Sequence, residues 1–273
     1  IKLVLLGLTN TWELEIFFFF FIFLLAYAAI MAGNLLIVVT VTFDSHLHSI
    51  PMYFLLGNLS FLDMFLSTIT TPKMVANFLK ENKTISLWGC MAQMFFLHFL
   101  GGSEMTLLIV MAVDRYIAIC RPLHYTTIMN HRMLMGSVLL SSAVGFVHTM
   151  SQMVFTITLP FCGPNVVDNI FCDLPLVLKL ACTDTYVLEL LVIADSGLLS
   201  FICFILLLIS YPALSTLSPF SSFSVDKFLS VFYSIITPLL NPIIYTLKNK
   251  EMRAAMSNLG TSMWHGHGSK KTK

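Results

Sequence analysis

The chain has 273 residues, of which 57% are hydrophobic and only 11% charged, and its net charge is +1. Soluble domains carry about 25% charged residues, and a chain of this length can bury a core without a partner, so the shortage of charge indicates a lipid environment. The same composition excludes intrinsic disorder, a nucleic-acid-binding platform, a disulfide-stapled miniprotein and a strongly basic or acidic binding surface.

Long apolar stretches with few charges recur along the chain. The first, residues 16–43, has no acidic or basic residue and follows Glu13 and Glu15 rather than the basic residues of a signal peptide. A membrane-crossing helix needs about 20 mostly apolar residues, and lipid offers no partner to an unpaired backbone. Six spanning helices are therefore predicted, near residues 16–43, 51–77, 85–119, 133–158, 187–211 and 228–247.

The charged residues between these stretches indicate an orientation. Nine Lys and Arg residues fall on the face that includes Arg115, against six on the opposite face, where seven acidic residues also fall. By the positive-inside rule the Arg115 face is predicted to be cytoplasmic. Four cysteines lie at or near the other face, where oxidising conditions favour two disulfides with three pairings open. They are Cys90, Cys162, Cys172 and Cys182.

This orientation conflicts with an even number of spans. Glu13 is predicted outside and residues 248–253 inside, so the chain must cross the membrane an odd number of times. The stretch 212–225 cannot supply the missing crossing, because its residues make a helix of about 21 Å against a hydrocarbon core of about 30 Å. Either residues are absent from this sequence, or the natural chain is a deleted one.

Five short motifs stand out along the chain. They are PMYFL at 51–55, MAVDRYIAICRPL at 111–123, KLACTDT at 179–185, SY at 210–211 and PLLNPIIY at 238–245. In this order and spacing, the sequence resembles a vertebrate olfactory receptor of the tetrapod class, within the rhodopsin-like G-protein-coupled receptors. The resemblance implies an all-α fold with seven transmembrane helices, an odorant pocket in the bundle and coupling to a stimulatory olfactory G protein.

Two departures from the family pattern affect these expectations. Val113 replaces the usual aromatic residue before the Asp-Arg-Tyr triplet. Residues 213–218 resemble the segment before the family's sixth helix, and residues 219–223 resemble the segment after it. The third cytoplasmic loop and the sixth helix are therefore expected to be absent between 212 and 226, in agreement with the count of crossings.

The resemblance also implies a domain organisation and a location. Residues 1–247 would form the transmembrane receptor domain, and residues 248–273 a cytoplasmic amphipathic segment and tail. The protein would be a multi-pass protein of the plasma membrane, with its N-terminus outside and its C-terminus in the cytoplasm.

A switch for the G protein is implied at the cytoplasmic end. There Arg115 would pair with Asp114 in the resting receptor and turn to the G protein on activation, the alternative being a static positive anchor. Pro242 lacks a backbone N–H donor and kinks the last helix. The polar groups near the kink could then rearrange between two packing arrangements; the alternative is a static kink. The residues assigned to coupling and switching are Asp114, Arg115, Tyr116, Tyr211, Asn241, Pro242 and Tyr245.

Two carboxylates within the spans, Asp63 and Glu104, resemble the family's central polar site. Charges inside a membrane are costly, so the pair would share a proton or hold a cation. Sodium is the candidate ion, and no other cofactor is expected; the alternative is polar contact between helices. The resemblance also implies disulfides from Cys90 to Cys172 and from Cys162 to Cys182.

The odorant pocket is expected in the outer half of the third, fifth and seventh helices. Small odorants need a mostly apolar cavity with few polar anchors, and His98 and Asp195 are the best polar anchors. For each candidate, ordinary helix packing is the alternative. The candidates are His98, Gly101, Gly102, Met105, Asp195, Ser196 and Leu199.

Three other functions compete with that of an odorant receptor. Asp63, Glu104 and Asp195 could mark an ion path, but no internal repeat or pair of broken helices favours a channel or transporter. No nucleophile–base motif favours an enzyme. A truncated receptor that does not signal is the third, because outward movement of the sixth helix admits the G protein in this superfamily. The expected partners are a small odorant, a heterotrimeric G protein and lipid, with no nucleic acid.

Overall fold

The structure is a computed structural model that describes residues 2–5, 20–78, 84–162, 166–167, 172–192, 194, 197, 201, 252 and 254–257. Within these ranges four helices are long and apolar enough to cross a membrane. They are α1 (Phe21–Phe43), α2 (Pro51–Phe78), α3 (Leu87–Cys120) and α4 (His131–Ile157). The described parts of the first four predicted spans lie in these helices, within a few residues at their ends, and residues 16–19 of the first span lie outside the described residues.

The later predicted spans lie mostly outside the described residues. Helical backbone is described at 186–192, in the region of the fifth span, and again at 254–257. The span at 228–247, the gap between 212 and 226, and the tail beyond residue 257 lie outside the described part of the chain.

Polar side chains cap the N-termini of two long helices, and hydroxyl groups inside the helices donate hydrogen bonds to backbone carbonyls of the same helix. Ser86 Oγ accepts a hydrogen bond from the backbone N–H of Gly89 at 3.1 Å and so caps α3. Asn130 Oδ1 does the same for α4, accepting from the backbone N–H of Met133 at 2.9 Å. Inside the helices, hydroxyls such as that of Thr149 donate to the carbonyl four residues earlier. These bonds satisfy the hydroxyl groups within their own helix.

Successive long helices pack side by side, α1 on α2, α2 on α3 and α3 on α4. The backbones of α3 and α4 approach each other closely. A Cβ atom added at Gly102 would lie 3.1 Å from the Cα of Gly145. Small residues at this contact let the two backbones come together, which is the usual basis of helix association in lipid.

The two ends of the bundle carry different structures. At the end where α3 begins, called here the Cys90 end, β1 (Lys2–Leu5), β2 (Thr84–Ser86) and β3 (Val166–Val167) form a sheet in the order β2-β1-β3. β1 runs antiparallel to β2 and parallel to β3. A short helix, Leu174–Leu178, packs beneath this sheet.

The opposite end, where α3 finishes, is called here the Arg115 end. A short helix, Ser45–Ser49, joins α1 to α2, and a 3₁₀ turn at Pro122–His124 followed by a helical turn at Tyr125–Ile128 joins α3 to α4. Met252 and Ala255 are buried here in a cluster with residues of α1 and α2. This part of the predicted amphipathic segment therefore packs on protein at the Arg115 end.

Candidate functional site

The Asp-Arg-Tyr triplet lies in the last two turns of α3, at the Arg115 end. Asp114 is buried, Arg115 is half-buried and Tyr116 is exposed. Asp114 Oδ1 accepts a hydrogen bond from the hydroxyl of Tyr125 at 2.8 Å. Asp114 therefore has a hydrogen-bond partner in the connection between α3 and α4.

Tyr125 is held in its protonated form by its surroundings. Burial raises the pKa of the Tyr125 hydroxyl well above its ordinary value, and the hydrogen bond to Asp114 and the charge of that carboxylate raise it further. The hydroxyl thus remains a donor at physiological pH. Sequence reasoning missed Tyr125, because only the turn at Pro122–His124 brings it back towards α3.

A cleft of about 450 Å³ lies at the end of α3, beside this hydrogen bond. Leu123 in its wall is 92% exposed, and Cys120 is exposed and is the free cysteine among the described residues. Leu123 therefore offers an exposed apolar side chain at this cleft. The residues that line the cleft are Cys120, Arg121, Pro122, Leu123, His124, Thr127 and Ile128.

The two predicted intramembrane carboxylates are both fully buried. Asp63 on α2 and Glu104 on α3 each have 0% of their surface exposed, and these helices pack together. A carboxylate shut off from water must be met by a proton or a cation. Ser60 and Ser67 lie one turn before and after Asp63 and are also fully buried. Within the described residues no group of three or more His, Cys, Asp or Glu residues could hold a metal ion.

Two of the four predicted pocket residues on α3, His98 and Gly102, lie against α4. The ring of His98 lies 6.4 Å from that of His148, measured between centroids, and His148 Nε2 is 3.3 Å from the amide nitrogen of Gln152. Gly102 lies against Gly145. Helix packing thus accounts for Gly102, while His148 and Gln152 join His98 in a polar cluster that sequence reasoning missed.

The other two predicted pocket residues on α3, Gly101 and Met105, are half-buried. Asp195, Ser196 and Leu199 of the predicted pocket lie outside the described residues, as do Tyr211, Asn241, Pro242 and Tyr245 of the predicted switch.

The four cysteines of the Cys90 end form two bridges. Cys90 pairs with Cys172 and Cys162 with Cys182, at Cα–Cα distances of 5.4 and 5.7 Å, and this is the pairing that the resemblance implied. Gln93 on α3 also holds the loop, because its Oε1 accepts a hydrogen bond from the backbone N–H of Cys172 at 3.3 Å. The loop after α4 is thus tied to α3 at two adjacent points.

Together, the apolar helices, the doubly bridged loop and the triplet at the end of α3 define a multi-pass helical membrane protein of the receptor type. The family model described as "Olfactory receptor" matches residues 23–218, well over half of the chain. The chain belongs to the olfactory receptor family. That family has the seven-transmembrane architecture of G-protein-coupled receptors, and its members are not enzymes.

Human relatives match the chain over most of its length. Olfactory receptors 4K13 and 4L1 of Homo sapiens are each 58% identical to it, over 93% and 94% of this chain and 95% and 93% of their own lengths. Olfactory receptor 4F4 of Homo sapiens is 50% identical over 99% of both chains. The resemblance therefore extends along the whole molecule.

These alignments are longer than the part of the chain that they cover. The alignment with olfactory receptor 4K13 runs over 290 residues, whereas 93% of this chain is about 254 residues, so about 36 positions of the relative stand opposite no residue here. For olfactory receptor 4F4 the alignment runs over 305 residues and covers about 270 of this chain, which leaves about 35 positions. The family-model match ends at residue 218, inside the stretch where the sixth helix is predicted to be missing.

Proposed function

We propose that this protein is an odorant-sensing receptor that binds a small volatile molecule within the helix bundle and activates a stimulatory olfactory G protein. Membership of the olfactory receptor family carries the proposal. In the proposed orientation, the Arg115 end faces the cytoplasm and the Cys90 end faces the outside of the cell. The loop arginines Arg121 and Arg132 at one end, and the two disulfides at the other, support this orientation.

The G protein would dock at the Arg115 end. In the resting receptor the hydrogen bond from Tyr125 to Asp114 ties the connection after α3 to the triplet. The exposed side chain of Leu123 and the cleft beside it offer an apolar contact next to that bond. A partner that buries Leu123 would therefore act directly on the segment that carries Tyr125.

The odorant would lie towards the Cys90 end of the bundle. His98, half-buried at the contact of α3 with α4, offers a polar anchor, and His148 lies beside it. Asp195, Ser196 and Leu199 of the predicted fifth span would complete the pocket.

A second candidate function is that of a receptor variant that reaches the membrane but does not signal. The observation that favours it is the set of about 36 positions of olfactory receptor 4K13 with no counterpart in this chain. A deletion of that size is enough for one spanning helix of about 20 residues together with a loop. If it falls at the sixth helix, the element whose movement admits the G protein is gone.

Restoring the missing segment separates the two candidates. Two proteins would be expressed in cells that contain the olfactory G protein: the 273-residue chain, and the same chain with the unmatched segment of olfactory receptor 4K13 inserted after Ser218. Cyclic AMP would be measured against a panel of volatile odorants, with surface amounts measured in parallel. We expect odorant-dependent cyclic AMP from the restored protein and at least tenfold less from the 273-residue chain.

Controls locate the response at the proposed sites. In the restored protein, Leu123→Ala should lower the maximal response, and His98→Ala should shift the concentration for half-maximal response, both at unchanged surface amount. A full response from the 273-residue chain would reject the non-signalling candidate. The absence of any response from a restored protein that reaches the surface would count against odorant signalling itself.

We also propose that Asp63 and Glu104 hold a sodium ion. Two fully buried carboxylates with the buried hydroxyls of Ser60 and Ser67 one turn away provide hard oxygen donors of the kind that sodium prefers. The purified protein should melt several degrees higher in sodium chloride than in choline chloride of equal concentration. The Asp63→Asn variant should lose this difference; if it kept the difference, the ion would bind elsewhere.

A further inference from the structure

The first described residues of the chain form the middle strand of the sheet at the Cys90 end. β1 pairs with β2, with Leu3 opposite Ile85, and with β3, with Val4 opposite Val166. In this sheet β2 and β3 are joined through β1 and not directly. β2 leads into α3, and β3 belongs to the loop after α4, so β1 holds together two connections that are distant in sequence.

Leu3 anchors this strand in the interior. It is 2% exposed and belongs to a buried cluster that also contains both cysteines of one disulfide and the side chain of Met94, a turn further along α3. The short helix Leu174–Leu178 supplies the other side of the cluster through Leu174. Leu3 is the one side chain of the strand that the structure describes. It packs in the same buried cluster as Cys90 and Cys172.

The two disulfides at this end differ sharply in exposure. Cys90 and Cys172 are 0% and 1% exposed, whereas Cys162 and Cys182 are both exposed. Water and small solutes therefore reach one bridge and not the other. The buried cluster that shields the first bridge is the one that contains Leu3.

We propose that Lys2–Leu5 is a strap that closes the Cys90 end of the bundle. In place, it keeps solutes away from the Cys90–Cys172 bridge and the apolar cluster beneath it; when released, it opens a route to them. A four-residue strand is held by few hydrogen bonds, so its release is a local opening that leaves the helices intact. The inference stands apart from odorant sensing and G-protein coupling.

Reduction of the two disulfides tests the strap. The purified 273-residue chain in detergent would be exposed to dithiothreitol, quenched with iodoacetamide and analysed by peptide mass spectrometry over time. In the unmodified protein, Cys162–Cys182 should be reduced first and Cys90–Cys172 far more slowly. With Leu3→Asp, reduction of Cys90–Cys172 should be at least tenfold faster while that of Cys162–Cys182 stays unchanged, and the matched Leu3→Met variant should behave like the unmodified protein.

The result that overturns the proposal is equal protection of Cys90–Cys172 in the unmodified and Leu3→Asp proteins. If Leu3→Asp speeds the reduction of both bridges, or if this variant fails to fold, hydrogen exchange on the unmodified protein provides the test instead. There the backbone amides of β2 and β3 should be protected for at least a hundredfold longer than unstructured amides. Exchange at the unstructured rate would show that no strap is closed.

Discussion

Replacing Gly145 with alanine is expected to force α3 and α4 apart and to lower the thermal stability and the yield of the folded protein. A Cβ atom at this position would lie 2.6 Å from the carbonyl oxygen of Phe99 and 2.8 Å from the backbone nitrogen of Ser103, and it would also collide with Ser103 Oγ. The first two are backbone atoms of α3, so no rotation of a side chain can relieve the clash. The helices must move apart, and overpacking of this kind costs about 1–3 kcal/mol or more.

The same helix offers a matched control. Gly136 has no atom within 4 Å of the place where its Cβ would lie. Gly136→Ala should therefore be neutral or slightly stabilising, because alanine is favoured over glycine inside a helix by up to about 1 kcal/mol. The measurements are the yield of monodisperse protein in fluorescence-detected size exclusion and its thermal midpoint. Equal behaviour of the two alanine variants would show that α3 and α4 are not in backbone contact.

Removal of the Cys90–Cys172 bridge is expected to destabilise the protein more than removal of Cys162–Cys182. The first bridge closes a loop of 82 residues and the second a loop of 20. In the chain-entropy description these loops are worth about 4.5 and about 3.3 kcal/mol respectively. The first bridge is also buried in the apolar cluster of the Cys90 end, so its loss leaves a packing defect as well.

Paired alanine variants measure this difference without leaving free thiols. Cys90→Ala/Cys172→Ala should lower the thermal midpoint further than Cys162→Ala/Cys182→Ala and should reduce the amount of protein at the cell surface. The Cys120→Ala variant serves as a control, because Cys120 is exposed and forms no disulfide. A larger loss from the 20-residue loop would contradict the expected ranking.

The positions of the first four helices follow closely from the sequence. Length and apolar character decide where a lipid-crossing helix lies, and both can be read along the chain. The third span is predicted near residues 85–119. The structure begins α3 at Leu87, because Ser86 caps the helix and Thr84–Ser86 pair with β1.

The candidate site was less predictable than the helices. The triplet around Arg115 is a local motif, and its place at the end of α3 follows from the pattern alone. No spacing along the chain indicates that Tyr125 bonds to Asp114, because the contact depends on the turn between α3 and α4. In the same way, His148 appears in sequence as a single polar residue within an apolar helix, and only packing places it beside His98.

By itself the sequence determined that this is a membrane protein, where the first four of its apolar helices lie along the chain, and which family it belongs to. Composition and short motifs carry that information. Each motif consists of residues that are close together in sequence, so it can be recognised without the tertiary structure. The tertiary structure alone decided that Gly145 meets Phe99 and Ser103, that Tyr125 returns to Asp114, and that Leu3 lies in one buried cluster with Cys90 and Cys172. These contacts join residues far apart in the chain, and they exist because the helices pack closely enough for backbones to touch and loops to be tied across the ends.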